Sequence, residues 1–386
     1  MDFKLSEDQA MIQESARRMV ERDILPILNA NDPNTSLPYE PMHKMMKILC
    51  AQGLGAPRVP AEQGGTGMKM LEYGLMYEQL PAWVSIAVMG NEVTYTRIHA
   101  EANEEQRKRI LPKILTGEHV AGSATTEPGS GSDPRGARTT MRYDGDDVVI
   151  NGRKIWVSNG SVADVLAVAC RTDEEDHRGR KKLRRVVVYR DQSPYHVREV
   201  ETVGLKQGHL CEIVFEDCRV PRENVLEFEG DAAATLTVTW NGNRPLCGLT
   251  SVGLAQKAFE AARDYAGIRE AFGKKIGNFQ LIQKNLADIE TAIVSSRLMC
   301  YMALDAIDRG DRANGTSAMA KRYACEACLN AIHLAMQCHG AMGITEELGL
   351  ERLWRDARMI PIPDGTPEIL ALIQGRELTG FDAFRT

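Results

Sequence analysis

Apolar residues along this chain repeat with a helical period, then a strand-like one, then a helical one again. That double switch restricts the fold more than any single motif does. From Leu5 to about Thr116 the spacing is helical: in EDQAMIQESARRMVERDILPIL, residues Met11, Ile12, Ala16, Met19, Val20 and Ile24 fall near one face. Between residues 120 and 229 short β-branched runs take over: DVVINGRKIWVSN, VLAVACR, VVVYR and CEIVFEDCRV. Asp146-Asp147, Asn151-Gly152 and Asn159-Gly160 lie between or beside them as turn signals. After Gly230, FQLIQKNLADIETAI spaces Phe279, Ile282, Leu286, Ile289 and Ile293 by three and four, as a bundle helix does. TSAMAKRYACEACLNAIHLAMQCHGAMG reads as a further long helix ending in glycines. Helices, then strands, then helices is α+β by segments rather than alternating βαβ. The reading is an N-terminal helical domain (residues 1–119), a middle antiparallel β domain (120–231) and a C-terminal helical bundle (232–386).

Composition narrows the function classes. A chain of 386 residues is too long for most single cores. The net charge of −6 leaves no electrostatic footprint for nucleic acid. No stretch approaches the roughly 18 apolar residues that span a bilayer, so no membrane partner is expected. The first residues, MDFKLSEDQAMIQESARRMV, are charged and amphipathic with no apolar signal core, from which a cytoplasmic protein is expected. The nine cysteines then read as reduced thiols. Cys325 and Cys328 have half the spacing of a zinc site, but no second pair follows and the surrounding pattern is helical, so no metal is expected. Gly64, Gly65 and Gly67 follow no strand and are turn glycines rather than a dinucleotide fingerprint. The mixed-charge run at residues 171–185 reads as a solvated hairpin loop.

Five separated motifs carry chemistry. TTEPGSGSDPRG, residues 125–136, surrounds Glu127 and Asp133 with glycines and hydroxyls; such a loop lets backbone N–H groups approach a flat polar ligand. KIWVSNG sets Trp156 beside Ser158 on a strand, able to stack on an aromatic ring and hydrogen-bond its rim. REAFGKKIGNFQ joins two helices and offers Arg269 to a phosphate and Phe272 to a base. QCHGAMG is a helix end of small residues. RDARMIPIPDGTPEIL places Asp364 on a glycine turn after two prolines; read alone, Asp364 caps the helix that follows, although Thr366-Pro367 also suits a helix start.

Taken together, these motifs resemble those of the acyl-CoA dehydrogenase family, and the resemblance spans nearly the whole chain. It implies a C-terminal four-helix bundle, a homotetramer, and FAD between domains and subunits. The implied reaction takes the α-proton from an acyl-CoA substrate and passes the β-hydrogen to FAD, with electron-transferring flavoprotein as acceptor. Residue by residue, Thr126, Gly131 and Ser132 match the flavin loop, Ser132 also lying near CoA, while Trp156 and Ser158 match the segment beside the flavin ring. Arg269, Phe272 and Gln280 match residues that hold the FAD diphosphate and adenosine from a neighbouring subunit, and Gln337 and Gly340 match a second dinucleotide contact. Thr366 and Glu368 reach the same cofactor. Arg244 matches an arginine at the CoA end, but Asn241 stands where Asp often precedes it by three positions. Ile86, Met89 and Asn91 fall where the family lines its acyl pocket.

The main departure is Asp364, which stands where most members carry a catalytic Glu. A carboxylate survives, one methylene shorter, and a misplacement of about 1 Å can cost ~10²-fold in rate. The shorter base suits a substrate whose α-carbon lies closer or carries a branch or ring. Relatives that place the base just before the CoA-contacting arginine would use position 243, and Asn243 cannot serve as one. Three readings stay open on sequence alone. One is a dehydrogenase of branched or alicyclic acyl-CoA using Asp364. Another is a non-oxidative lyase or an enoyl-CoA reductase on the same scaffold. The third is a flavin fold kept for binding without catalysis.

Overall fold

The structure is a computed structural model and describes residues 4–176, 179–228 and 230–383. Six helices come first: α1 (Glu7–Met19), α2 (Leu25–Asn29), α3 (Tyr39–Leu49), α4 (Met70–Tyr77), α5 (Ala82–Glu101) and α6 (Glu104–Leu115). Local chemistry sets their starts. Ser6 and Gln9 form a reciprocal capping box on α1, and Asn103 and Gln106 form another on α6. α5 differs from the rest: Trp83, Val84, Val88, Met89 and Val93 are buried, and so are the charged Glu92 and Arg97. A helix wrapped on every side has no solvent face for its polar residues, so each must find a partner inside.

The middle segment forms one seven-stranded sheet. Its strands are β1 (Ala121–Ala124), β2 (Thr140–Asp144), β3 (Asp147–Ser158), β4 (Val165–Glu175), β5 (Lys181–Tyr189), β6 (His196–Glu199) and β7 (Leu210–Pro221). The order is β1-β4-β2-β3-β7-β6, with β5 paired to β4. The expected antiparallel pairing holds for β2–β3, β3–β7, β4–β5 and β6–β7, whereas β1 runs parallel to β4 and β2 touches β4 in parallel at one register position. The β2–β3 hairpin between β1 and β4 supplies the long crossover that a parallel pair needs. Val148, Ile150, Leu166, Val168, Val186, Ile213 and Phe215 fill the core on one face. The charged run at residues 171–185 spans the ends of β4 and β5, and its residues 177 and 178 lie outside the described residues, as does residue 229 near the expected end of the domain.

The last segment is helical: α7 (Ala232–Ile268), a small hairpin of β8 (Glu270–Ala271) and β9 (Lys274–Lys275), then α8 (Gln280–Asp308), α9 (Asn314–His339), α10 (Leu350–Met359) and α11 (Pro367–Thr379). α7, α8, α9 and α11 make the bundle, with α9 packed on all three others. Their approach is close. A methyl group on Gly248 of α7 would sit 2.5 Å from Cys300 Sγ of α8 and 3.2 Å from Ala324 Cβ of α9. Cys325 and Cys328 face this packed interior of α9 and are buried. α4 and α5 cross α7, so the two helical segments share one core that includes Tyr73, Tyr77, Leu246 and Leu304. No helix among the described residues is long and apolar enough to cross a membrane.

Candidate active site

The break at residues 361–366 is held from below by a lysine. Lys321 is fully buried on α9, and its ammonium donates to the carbonyls of Pro361 (3.1 Å), Gly365 (2.6 Å) and Pro363. Pro361 and Pro363 have no N–H to offer a partner, and the buried cation gathers their carbonyls together with that of Gly365. Asp364 sits at φ 53, left-handed and costly for a residue other than glycine. It does not cap α11. Thr366 occupies the N-cap, its side chain accepting from Ile369 N, with Pro367 in the first turn. Capping therefore gives no account of the half-buried Asp364 side chain.

That carboxylate joins a polar network running back through α7. Asn243 Nδ2 donates to Asp364 Oδ2 at 2.9 Å, and Arg244 Nε donates to the Asp364 carbonyl at 3.2 Å. Arg244 also reaches Asn314 Oδ1 (2.8 Å) and Asn241 Oδ1 (3.4 Å), so the residue that replaces the usual Asp still supplies an acceptor. Behind Asn243 stands Arg58. Its Nη2 donates to Asn243 Oδ1 at 2.5 Å and lies 2.6 Å from Glu92 Oε1; the second contact is an ion pair by distance but is poorly aligned as a hydrogen bond. Burial raises the pKa of Glu92 against the pull of Arg58. Burial also draws Arg97 down to about 10, opposed by the charge of Asp364. Burial lowers Arg244 too.

Apart from Thr366 and Glu368, the residues matched to the flavin lie on two surfaces. On the sheet, Trp156 has φ 62 at a register shift between Lys154 and Val157, a bulge that turns the indole outward until it is 52% exposed. Ser158 follows on the same strand. Thr126 is tied to this strand, its carbonyl accepting from Ile155 N at 2.9 Å. The loop with Gly131 and Ser132 is fixed at its root by a buried pair: Lys154 Nζ donates to Glu127 Oε1 (2.8 Å) and to Thr125 O (3.1 Å). Glu127 also accepts from the N–H groups of Arg138 and Thr139.

The second surface is a groove of about 590 Å³ at the end of the bundle, lined among others by Arg269, Phe272, Phe279, Gln337 and Gly340. Arg269 is exposed and makes no ion pair among the described residues. Phe272 stands 96% exposed at φ 50, its ring edge-on to Phe279. Gly340 takes φ 59, ψ −135, which is open only to glycine, and a side chain there would meet nothing within 4 Å. An unpaired guanidinium, an uncovered aromatic face and bare backbone in one groove fit a diphosphate and an adenine ring, so the residues present suit FAD.

The structure gathers Arg269, Phe272, Gln337 and Gly340 in that groove; Gln280 opens α8 beside it, and Thr366 and Glu368 lie at the head of α11 instead. Of the expected acyl-pocket residues, Ile86 is half-buried and Met89 buried in the shared core. Asn91 spends its amide on structure, accepting from Ala121 N (2.8 Å) and donating to Ile114 O (3.5 Å). Sequence reasoning passed over Lys321, Arg58, Glu92, Arg97 and Lys154. A signal existed for Lys321: it shares the three-and-four spacing of Ala318, Cys325, Cys328 and Ile332, an apolar stripe with one charge in it.

Comparison with known proteins bears on the chain as a whole. The chain matches the acyl-CoA dehydrogenase N-terminal domain over residues 6–118, the middle domain over 122–218 and the C-terminal domain over 233–379. A mitochondrial 2-methylacyl-CoA dehydrogenase of Solanum tuberosum is 33% identical, the match covering 97% of this chain and 91% of the relative. An acryloyl-CoA reductase (NADH) of Anaerotignum propionicum is 31% identical over 98% of this chain and 96% of its own. A glutaryl-CoA dehydrogenase from Mycobacterium smegmatis, solved in complex with FADH2, superposes with a TM-score of 0.88 at 25% identity, covering 99% of this chain and 97% of that one. The chain belongs to the acyl-CoA dehydrogenase family, a family of FAD-dependent oxidoreductases.

Proposed function

We propose that this protein converts an acyl-CoA thioester to the 2,3-enoyl-CoA with Asp364 as the base that removes the α-proton. The observation that carries the reading is the Asp364 carboxylate, relieved of capping by Thr366 and held in a strained turn by Lys321, Asn243 and Arg244. Asn243 engages Oδ2 and leaves Oδ1 without a hydrogen bond among the described residues, free to take the proton. The Asp364 N–H likewise donates to no described residue and is available to the thioester carbonyl, where a hydrogen bond acidifies the α-hydrogen. FAD, when bound, supplies the acceptor for the β-hydrogen as hydride. Thr126, Gly131, Ser132, Trp156 and Ser158 cover its ring on the sheet side, with Ser158 offering a hydroxyl to the ring edge. Arg269, Phe272, Gln280, Gln337 and Gly340 hold the dinucleotide end, joined by Thr366 and Glu368. Arg244 and Ser132 meet the CoA thioester, and Ile86, Met89 and Asn91 flank the acyl group.

The short base favours a branched or alicyclic substrate, whose substituted α-carbon brings the proton within reach. The exposed ring of Phe272 and the groove beside it support a homotetramer in which a second copy completes the dinucleotide site. Electron-transferring flavoprotein is the proposed acceptor. A second reading, reduction of an enoyl-CoA, has one observation in its favour, the acryloyl-CoA reductase among the relatives. Anaerobic titration of the yellow holoprotein with straight, branched and cyclic acyl-CoAs tests the proposal. Bleaching by a saturated branched or cyclic thioester is expected. A flavin reduced by no saturated thioester, yet reoxidised by an enoyl-CoA, would favour the second reading.

A further inference from the structure

Arg97 is buried on α5 among neutral partners. Its Nη1 donates to Ser123 Oγ (2.8 Å) and its Nη2 to Thr239 Oγ1 (3.0 Å), while Nε has no partner among the described residues. Arg58 meets the same residue, donating from Nη1 to the Thr239 carbonyl at 2.9 Å, and its Nε is also unpartnered among the described residues. The adjoining Arg185 is matched by Glu101. Around Asp364 stand three guanidiniums, Arg58, Arg97 and Arg244, and the Lys321 ammonium, against two carboxylates, Glu92 and Asp364. A guanidinium does not discharge by losing its proton at ordinary pH, so a buried one whose hydrogen bonds go only to hydroxyls, in a cluster with more cations than acids, calls for an anion from elsewhere.

We infer that Arg97, backed by Arg58, receives the far end of the acyl group, and that this end is a carboxylate, making the substrate a CoA monothioester of a short dicarboxylic acid. The inference rests on the dehydrogenase reading for where the thioester lies. The spacing suits it. Thr239, which Arg97 touches, precedes Asn243, which touches Asp364, by one turn of α7, about 6 Å. A short chain bridges that distance with its α-carbon at Asp364 and its terminal carboxylate at Arg97. The carboxylate accepts from the planar fork and supplies the missing charge. A branch or ring at the α-carbon concerns the other end of the chain and is compatible with this one.

The test is calorimetric binding to the holoprotein of two matched thioesters, the CoA monothioester of a five-carbon diacid and that of the five-carbon monoacid. The diacid thioester should bind at least ~30-fold more tightly, the size of effect a buried charged hydrogen-bonded partner gives. Arg97→Met, with flavin content and melting temperature confirming its fold, should bring the two affinities together. Arg97→Lys keeps the charge without the fork and should retain part of the preference, so it serves where the Met variant fails to hold flavin. Equal binding of the two thioesters by the wild type overturns the inference, as does a preference that survives in Arg97→Met. Flavin bleaching recorded in the same samples separates the two readings: diacid-selective binding with no bleaching would count against the dehydrogenase, not against the anion site.

Discussion

At the scale of single residues, the proposed chemistry turns on how one carboxylate is held. Asp364 was legible because a helix-rich chain breaks there at two prolines and a glycine, and such a break draws the eye to the acid on it. The residues that hold it were not legible. Asn243 read as a position that cannot be a base, whereas its amide donates to the proposed base. Lys321 lies 40 to 44 residues from Pro361, Pro363 and Gly365 in sequence, and only folding brings its ammonium to their carbonyls. Lys321→Met keeps the volume and removes those bonds. If Lys321 positions the loop, kcat should fall by ~10²-fold, the cost of about 1 Å of misplacement, while KM and flavin content change little. Full activity in Lys321→Met would leave the lysine a purely structural residue.

At the scale of elements, β3 and the loop before β2 form one unit. The strand itself was readable from the alternation in DVVINGRKIWVSN, but the bulge at Trp156 and the parallel pairing of β1 were not. Both depend on which strands meet across the sheet, and no local pattern encodes that. The unit is locked by the buried Glu127–Lys154 pair. Glu127→Gln should destabilise the protein by roughly 3–5 kcal/mol in urea unfolding, because it strands a buried ammonium without its counter-charge. The same pair gives a pH signature. Burial alone would raise the pKa of Glu127, but Lys154 and the N–H groups it accepts from outweigh that and hold it below the ordinary carboxylate value. With the folded value below the unfolded one of about 4.3, the stabilisation is fully present above that pH and is lost as pH falls through the folded value. The Glu127→Gln variant should lack that acid-side loss.

At the scale of the whole molecule, the order of helical, β and helical segments was readable because the apolar period changes at each boundary. The meaning of the surface was not, since a sequence does not say which face of a helix stays uncovered. Phe272 stands exposed in the groove at the end of the bundle beside Arg269, and Ile268 and Leu281, next in sequence to its lining residues Arg269 and Ile282, are exposed as well. If a second copy and FAD cover it, Arg269→Ala should raise the dissociation constant for FAD by at least ~10-fold through loss of one charge-assisted bond, and sedimentation should show a looser assembly. Retention of FAD at wild-type affinity would move the dinucleotide site elsewhere.

The most direct test of the central claim, that Asp364 is the base, is rapid anaerobic flavin reduction by Asp364→Asn beside the wild type. The amide keeps the side chain's size but cannot take a proton. The variant should be yellow, bind the acyl-CoA and reduce its flavin at least ~10²-fold more slowly. Asp364→Glu, run alongside, keeps a base and should reduce its flavin more slowly than the wild type with the branched or cyclic substrate that the shorter acid accommodates. Flavin reduction at the wild-type rate by Asp364→Asn would contradict the account and place the base on another residue.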